Sequence, residues 1–420
     1  MQTINLKGLG EKIYKHKCTN GFEVYMWKYN YTKEVLMTLT VRYGSFHTTF
    51  KIGNDKTTVP NGTAHFLEHI KFNEKEGKTA HDFYAKTGAR CNAFTTYENT
   101  SYEVTTSNNI KENLEHLLYY VYNPYFKEEL IEKEKGIIIE ESKSSSGNAY
   151  SKGYQKVLEN LYHKHPRRYY IAGTPEEVKS ITLNDVLNVY NNFYLPDNMF
   201  LSVCGNINPD EIVEVVENFF KDKAFNKFKA KIVIPKEPLP IVKEYEEVKD
   251  NVVKNQLFIA YKYDKKKYIK NDDLLSLAFS RILSINFGST SDFRDYLINN
   301  RIVDSISSTY FIDKNNIIVL FEVSTDDTKK VINLINDKMN HLEIDKKTFI
   351  RKTKAFLVHM IRWYDNNYDV TREIMDDVLN NKKIVRNKKD FIRSMKISDV
   401  ETIIKTLDNT NYTVLEITPN

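Results

Sequence analysis

Residues 180–207, SITLNDVLNVYNNFYLPDNMFLSVCGNI, have a counterpart near the other end of the chain in residues 395–417, MKISDVETIIKTLDNTNYTVLEI. Each stretch contains an isoleucine and a hydroxyl residue suited to cap a helix, Thr182 in the first and Ser398 in the second. A helical pattern follows in both, and an Asn-containing turn then leads into a short strand of β-branched or aromatic residues. This long spacing predicts a duplicated unit, because solenoid repeats have periods of only about 20–50 residues.

The sequence around this repeat alternates strand and helix patterns. Strand candidates occur in both halves, as VLMTLTVRYGSF at 35–46 and NQLFIAYKY at 255–263. The helical stretch GNINPDEIVEVVENFF at 205–220 has a weaker counterpart in EVSTDDTKKVINLINDKM at 322–339. We therefore expect an α+β fold of two homologous α/β halves, a duplicated unit in which each half is a mainly antiparallel sheet backed by helices.

A group of prolines divides the chain near its middle. Pro235, Pro238 and Pro240 cannot lie in a helix interior or a central strand. They predict an extended linker at 223–245, between an N-terminal domain at 1–222 and a homologous C-terminal domain at 246–420.

Composition narrows the class of protein. The 420 residues are 41% hydrophobic and 13% aromatic, which predicts a folded globular chain. The 61 basic and 56 acidic residues are too nearly balanced for nucleic acid to be the main partner. We predict no membrane contact, since no apolar run reaches about 18 residues and the N-terminus lacks a signal-peptide core. The widely spaced Cys18, Cys91 and Cys204 predict thiols in a cytoplasmic protein.

The stretch NGTAHFLEHIKFNE, residues 61–74, places two histidines and an acid on one side of a helix predicted at 64–77. At about 100° per residue, Glu68 and His69 fall within about 60° of His65. Thr63 is the predicted N-cap. The opposite side is apolar and consists of Phe66, Leu67 and Ile70.

Histidines at positions i and i+4 can reach one cation at the ~2.0–2.1 Å of a Zn–N bond. Glu68 lies on the same side and is placed to take a proton from a water molecule beside the metal. Zinc is the predicted ion, although manganese or cobalt would also fit these ligands. The alternative interpretation is a surface helix with polar residues on its solvent side.

A third ligand is predicted in IEKEKGIIIEESKS, residues 131–144. Glu134 and Glu141 share one side of this helical pattern with Ile137 and Ile138, whereas Glu140 lies on the other. An unpaired carboxylate among isoleucines is costly, and a cation would remove that cost. Taken alone, the pattern favours an amphipathic helix edged with salt bridges; together with the histidines, it favours a metal ligand.

The motif HFLEH, residues 65–69, followed by EKEKGIIIEE, residues 132–141, resembles the pitrilysin/insulinase family of zinc peptidases. In these inverzincins, H-x-x-E-H reverses the more common H-E-x-x-H. Three more stretches resemble the family's Asn-Ala-x-Thr edge strand, its His-Pro…Gly-x-x-Glu stretch and its Pro-x-Asn-strand-Gly element. They are GARCNAFTTYENTSYEV at 88–104, HPRRYYIAGTPEEVKSIT at 165–182 and YLPDNMFLSVCGNI at 194–207.

The resemblance implies a role for each matched residue. One Zn²⁺ per chain would be bound by His65, His69 and Glu141, with Glu68 as the general base and Glu134 supporting the site without binding metal. The activity implied is zinc-dependent endopeptidase hydrolysis of extended peptides. The substrate would pair, as an added β-strand, with the main chain of Asn92, Ala93, Phe94 and Thr95, a stretch that also fits an ordinary strand.

The sequence departs from the family pattern in its second half. Active members resembling this chain carry an Arg, and seven residues later a Tyr, that contact the substrate. Leu297 and Asp304 occupy those positions here. The chain thus resembles the zinc-bearing subunit of bacterial heterodimeric members, which implies a zinc-less homologous partner that supplies the Arg/Tyr pair, although a homodimer also fits. The alternatives are a non-catalytic assembly or scaffold subunit of the same family and a nucleic-acid-binding module, which the balanced charge disfavours.

Overall fold

The computed structural model describes residues 1–420, except for the side chains of residues 144–146. The chain forms two compact units, and neither is continuous in sequence. Unit 1 consists of Met1–Lys143, Tyr170–Ile234 and Met360–Lys388. Unit 2 consists of Ser144–Tyr169, Pro235–His359 and Lys389–Asn420.

The strands, in chain order, are β1 Gln2–Asn5, β2 Lys12–Lys17, β3 Glu23–Lys28, β4 Val35–Val41, β5 Thr49–Ile52, β6 Asp55–Thr58, β7 Arg90–Thr95, β8 Thr100–Thr106, β9 Met199–Gly205, β10 Lys231–Ile232, β11 Tyr245–Asp250, β12 Asn255–Asp264, β13 Ser305–Ile312, β14 Asn316–Thr325 and β15 Tyr412–Pro419. The α-helices are α1 Thr63–Ile70, α2 Ala80–Thr87, α3 Ile110–Tyr122, α4 Glu128–Ser146, α5 Ala149–Leu161, α6 Pro175–Ser180, α7 Leu183–Phe193, α8 Pro209–Phe220, α9 Asp272–Asn286, α10 Asp292–Asn299, α11 Thr328–Asn340, α12 Lys346–Arg362, α13 Asn367–Asn380, α14 Lys388–Ser394 and α15 Ile397–Thr406.

Five strands of the main sheet in unit 1, in the order β3-β9-β4-β8-β7, have the same topology as the main sheet of unit 2. Unit 1 contains a seven-stranded sheet in the order β1-β2-β3-β9-β4-β8-β7, beside a small sheet of β10, β5 and β6. Unit 2 contains a five-stranded sheet in the order β11-β15-β12-β14-β13. Within the five shared strands of each sheet, the first and the last in chain order pair in parallel. These pairs are β3 with β9 in unit 1 and β11 with β15 in unit 2, and the other pairs are antiparallel. The predicted duplication of a mainly antiparallel α/β unit is confirmed.

The predicted helix-turn-strand repeat is also present in both units, but one of its two predicted helix caps is wrong. Thr182 caps α7, where its hydroxyl accepts the Asp185 N–H at 3.2 Å. The prediction of Ser398 as the equivalent cap is wrong, because α15 begins at Ile397. The Asp399 carboxylate instead accepts the N–H of Lys396, the residue before the helix, at 3.0 Å. This contact is the equivalent of the Asp185 carboxylate accepting the Thr182 N–H in α7, so α15 keeps the acidic half of a capping box, and a lysine stands where α7 has its hydroxyl residue.

The prediction that residues 205–220 correspond to residues 322–339 is wrong, because the helices in these two stretches follow different strands of their units. The first stretch contains α8, which follows β9, the fifth strand of its unit. The second contains α11, which follows β14, the fourth strand. The equivalent of α11 is therefore α3, which follows β8. Similar amphipathic periods made two non-equivalent helices look alike.

Helices cover both faces of the sheet in unit 1. One core includes Val24, Leu201 and Val203 from the sheet together with apolar residues of α1, α3, α7 and α8. On the other face, Trp27 and Phe200 pack against Val370, Ile374 and Val378 of α13. Because they are covered on both sides, β4 and β9 are buried along their whole length. This burial holds the helix that carries the histidine motif against a rigid support.

Two segments explain why the units are not continuous. The helix α5 contributes Val157, Leu158 and Leu161 to the core of unit 2, whereas α13 belongs to unit 1. The division into homologous domains at 1–222 and 246–420 therefore describes the repeat and not the packing units, and it stays a prediction. Within the described part of the chain, every helix is too short or too polar to span a bilayer.

The predicted linker contains a buried acid. Residues 233–244 form no helix or strand in the described structure, and Glu237 lies among them with a side chain only 1% exposed. Its carboxylate accepts the Lys262 Nζ at 2.8 Å. It also accepts the backbone N–H groups of residues 163–165 at 2.7–2.9 Å.

We expect Glu237→Ala to lower the free energy of unfolding by about 3–5 kcal/mol, because it leaves the buried Lys262 ammonium without its counter-ion. Denaturant unfolding of the full chain measures this change. The control is Glu244→Ala, an exposed acid in the same segment, which we expect to change stability by less than about 0.5 kcal/mol. Equal effects of the two substitutions would contradict the anchoring role of Glu237.

Candidate metal centre

The helix α1 begins at a glycine that close packing requires. Gly62 has φ 87°, and a Cβ on it would lie 2.4 Å from the carbonyl oxygen of Ala172. The predicted N-cap, Thr63, is the first helical residue instead, and its hydroxyl donates to the Pro60 carbonyl at 2.7 Å. The helix is also shorter than predicted, because it ends at Ile70 and only a 3₁₀ turn at Lys75–Gly77 follows.

The two sides of α1 are as predicted. Phe66, Leu67 and Ile70 are fully buried in the core of unit 1. The other side carries His65 and His69, whose ring centroids are 4.6 Å apart. The apolar side holds the helix in place, and the two imidazoles are therefore presented together.

The third predicted ligand joins them from α4. The His69 Nε2 lies 3.3 Å from the Glu141 Oε2, and the His65 Nε2 lies 3.8 Å from the Glu141 Oε1. One ligand atom from each of the three residues lies within 4.8 Å of the other two. Tetrahedral donors with ~2.0–2.1 Å bonds to zinc stand about 3.3 Å apart. The three side chains therefore fit one zinc ion with little movement.

The surroundings of Glu141 differ from the prediction. Ile138 is buried as expected, but the Ile137 side chain is 48% exposed and Glu141 is 46% exposed. Glu141 lies three residues after Ile138 and four after Ile137, so it stands at the border between the core and solvent. The prediction that neighbouring isoleucines bury the Glu141 carboxylate is therefore wrong. The centre is instead open to solvent on the Glu141 side, as a site that must admit a substrate requires.

Residues 173–177, which include the start of α6, contact one residue just before α1 and one residue in α4. The Asn61 side-chain amide, just before α1, donates to Glu177 at 2.6 Å. The Ser142 hydroxyl, next to Glu141 in α4, donates to the Gly173 carbonyl at 3.4 Å. The sequence alone does not predict a role for this segment in the centre. The glycine and the acid in GTPEE, residues 173–177, are the sequence features that could have indicated such a role.

Glu134 contacts one of the histidines directly. Its Oε1 lies 3.1 Å from the His69 Nδ1, so a neutral His69 can donate Nδ1–H to it and direct Nε2 towards Glu141. Burial lowers the pKa of His69, but the hydrogen bond that His69 donates to Glu134 and the charges of three nearby carboxylates outweigh this effect and raise the pKa. Burial, and to a lesser extent His69, lower the pKa of His65 to about 4, which keeps that imidazole in its metal-binding neutral form.

Glu68 is buried beside the histidines, only 6% exposed. Its Oε2 accepts a hydrogen bond from the Thr95 hydroxyl at 2.5 Å. Burial raises the pKa of Glu68, and the hydrogen bond from Thr95 only partly opposes that shift. A carboxyl group with a raised pKa is better suited to accept and return a proton near neutral pH.

The predicted substrate strand lies at the edge of the sheet. Among the described strands, β7 pairs with β8 alone, with Asn92 opposite Glu103 and Thr95 opposite Thr100. The other side of β7 thus carries main-chain groups that an extended peptide could pair with. The sequence predicts a role for the main chain of Thr95 but not the contact of its side chain with Glu68. Strand alternation is the signal that indicates the direction of this side chain, because Thr95 shares a face with Ala93, which is partly buried and packs against the core of unit 1.

For the peptidase activity that the sequence predicts, we expect Thr95→Val to lower the turnover number by about 10–150-fold, since a hydrogen bond to a charged group is worth about 1.5–3 kcal/mol. Steady-state kinetics with an extended peptide, together with metal content, measures the effect. Thr95→Ser keeps the hydroxyl and serves as the control, and we expect it to retain most of the activity. If the two variants lost activity equally, the hydroxyl would not be what matters at this position.

The positions of the expected Arg and Tyr hold other side chains in unit 2. Leu297 is fully buried in α10. Asp304 forms an ion pair with Lys254 at 2.7 Å. Tyr310, which lies nearby in sequence, shares a hydrogen bond with the Ser276 hydroxyl at 2.9 Å.

Comparisons with known proteins show which family the chain is similar to. Residues 24–175 match the family described as insulinase (peptidase family M16), and residues 180–348 match the domain described as the peptidase M16 inactive domain. The chain is 34% identical over 316 residues to a Bacillus subtilis protein named zinc protease YmfH and described as uncharacterized, an alignment that covers 74% of this chain and 73% of that protein. The chain belongs to the insulinase family, peptidase family M16.

Two further comparisons bear on fold and assembly. The structure of an M16-like peptidase from Alicyclobacillus acidocaldarius superposes with a TM-score of 0.91 and 25% identity, over 97% of this chain and 98% of that one. The mitochondrial-processing peptidase subunit beta of Neurospora crassa is 27% identical over 195 residues, which cover 44% of this chain and 41% of that protein. The two-half α/β architecture is therefore the architecture of the family.

Proposed function

We propose that this chain is a zinc-dependent endopeptidase that binds one Zn²⁺ and hydrolyses extended peptides. The observation that carries this proposal is the convergence of His65, His69 and Glu141, with the buried Glu68 beside them. A relative named as a zinc protease supports the choice of zinc. The match of the second half to a domain described as inactive supports assigning the chemistry to residues 24–175.

His65, His69 and Glu141 hold the ion, and Glu134 orients His69 through its Nδ1. The chemistry that a bound zinc ion would supply is polarisation of the scissile carbonyl and acidification of a water molecule. Glu68 takes the proton of the attacking water and delivers it to the leaving amine. The Thr95 hydroxyl uses one lone pair of Oε2, so the remaining lone pairs of the carboxylate stay available for this transfer.

The substrate is an extended peptide that adds to the sheet beside β7. Main-chain pairing with Asn92, Ala93, Phe94 and Thr95 needs a peptide without its own secondary structure. Thr95 also contacts Glu68, so this strand links the bound peptide to the proton-transfer residue. Folded proteins are therefore expected to be poor substrates.

The chain acts together with a zinc-less homologous subunit, in the cytoplasm, and the two close around a chamber. The support is that Leu297 and Asp304 hold the positions of the substrate-binding Arg and Tyr. A relative named as the beta subunit of a processing peptidase is consistent with a chain that works in an assembly. The partner would supply the missing Arg/Tyr pair; a homodimer, which would lack that pair, is the alternative.

The test measures cleavage of an unstructured peptide by the purified chain, with and without a homologue that keeps the Arg/Tyr pair. We expect bound zinc in the single chain, and full activity only with the homologue. Full activity of the single chain would overturn the heterodimer proposal. Absence of cleavage in both samples, with zinc bound, would favour the non-catalytic assembly subunit.

A further inference from the structure

A second cluster of metal-binding side chains occurs in unit 1, on elements that do not carry the first. It consists of His16, Cys18 and Glu217, and one ligand atom of each lies within 4.8 Å of the other two. His16 lies in β2, Cys18 directly follows that strand, and Glu217 lies in α8. These residues lie outside the motifs that define the centre formed by α1 and α4.

Local structure explains why the first two side chains are together. Residues i and i+2 of a strand point to the same face, so His16 and Cys18 project to one side of β2. The turn after Cys18 is tight, because the Cys18 N–H donates to the Phe22 carbonyl at 2.9 Å and the Gly21 N–H donates to the Cys18 carbonyl at 3.0 Å. The H-x-C spacing is thus held in a fixed geometry.

Core packing brings Glu217 to the same place. Phe220 of α8 lies with its ring centroid 5.1 Å from that of Phe22, which fixes this helix against the turn. The Glu217 Oε1 lies 2.6 Å from the His16 Nε2. The Cys18 thiol is buried and also directed at Glu217, and burial, followed by the Glu217 charge, raises the pKa of this thiol to about 12.

We propose that His16, Cys18 and Glu217 form a second metal site, which takes a divalent ion such as Zn²⁺ with water as the fourth ligand. Imidazole nitrogen, thiolate sulfur and carboxylate oxygen are the three donor types that proteins use for zinc. Binding displaces the thiol proton to solvent, and the cation then stabilises two adjacent anions that would otherwise repel each other.

The cluster needs a small adjustment to hold an ion. Donors of one zinc ion stand about 3.3 Å apart, so the 2.6 Å contact of His16 with Glu217 must widen. The Glu217 side chain is 43% exposed and can move towards solvent, whereas Cys18 is held by the core. The ion would join the hairpin of β2 and β3 to α8, which is a structural role. The proposal does not depend on the proposed peptidase activity.

Cobalt titration of the metal-free full chain tests the proposal, because the first centre contains no thiolate. We expect thiolate-to-cobalt charge-transfer absorption in the near ultraviolet for the natural chain and for the double variant His65→Ala/His69→Ala. Cys18→Ser should abolish it. The matched control is Cys91→Ser, since the Cys91 Sγ lies 3.1 Å from the His81 Nδ1 and forms another thiol–imidazole pair. This control should keep the absorption.

Zinc content gives a second readout. We expect two Zn²⁺ per natural chain and one each in Cys18→Ser and in the double histidine variant. If Cys18→Ser fails to fold by circular dichroism, His16→Gln decides, and loss of this direct ligand should weaken cobalt binding by more than about tenfold. No thiolate absorption, absorption that survives Cys18→Ser, or cobalt binding unchanged by His16→Gln would each overturn the proposal.

Discussion

Glu68→Gln is expected to lower the turnover number for peptide hydrolysis by about 10²–10⁴-fold while zinc stays bound. Glutamine has the same shape and can still accept a hydrogen bond from Thr95, but it cannot take a proton from water. The loss should fall on turnover and leave substrate affinity nearly unchanged, because β7 and the metal ligands are intact. Kinetics with an unstructured peptide and metal analysis of the same sample measure both quantities.

The control for this variant is Glu76→Gln. Glu76 lies in the 3₁₀ turn that follows α1 and is exposed to solvent. Its replacement removes one carboxylate near the centre in sequence and should leave turnover unchanged. Wild-type turnover in Glu68→Gln would rule out Glu68 as the general base. Loss of zinc from that variant would mean instead that Glu68 helps to hold the ion.

Glu141→Gln is expected to weaken zinc binding by more than about 100-fold and to remove activity at limiting zinc. It removes the anionic ligand and leaves two neutral imidazoles, which are too few for a stable site. Losses of about 10–100-fold follow when only an outer hydrogen-bond partner of a metal ligand is removed, so a direct ligand should cost more. Competition with a zinc-binding dye measures the affinity.

The neighbouring residue supplies a matched control. Glu140 is the same residue type on the same helix, but it is 73% exposed and pairs with Lys143 at 2.6 Å. Glu140→Gln should leave zinc affinity within about twofold of the natural chain, because exposed ion pairs contribute little. Equal losses in the two variants would show that the overall charge of α4, and not the position of Glu141, controls binding.

Local rules accounted for much of the site. The arrangement of His65, Glu68 and His69 on one side of α1 follows from a helical period of about 100° per residue, which acts over a few neighbouring residues. The same rule placed Glu134 and Glu141 near one another on α4, but it did not separate Ile137 from Ile138. Both isoleucines lie within the predicted apolar stripe, and only the neighbouring elements determine which one is covered.

Contacts between distant segments could not be read from such rules. Thr95 meets Glu68 because β7 crosses beside α1, and Gly62 is required because the chain near Ala172 approaches it closely. The strand period can place Thr95 on the same face as Ala93, but no local pattern shows which distant residue lies opposite that face. The error at Ser398 has a local cause, since the helix begins one residue earlier than the hydroxyl pattern indicates, and the acid Asp399 accepts the N–H of the residue before it.

The sequence by itself determined the duplicated α/β unit, the apolar and polar sides of α1, and the identity of the candidate zinc ligands. These features depend on periodicity, capping and residue chemistry, which operate within about one helix or strand. The tertiary structure alone decided that Glu141 reaches both histidines, that Thr95 holds Glu68, and that His16 and Cys18 meet Glu217. These contacts depend on how α4, β7 and α8 pack against the rest of unit 1. Such packing brings together residues that are far apart in the chain.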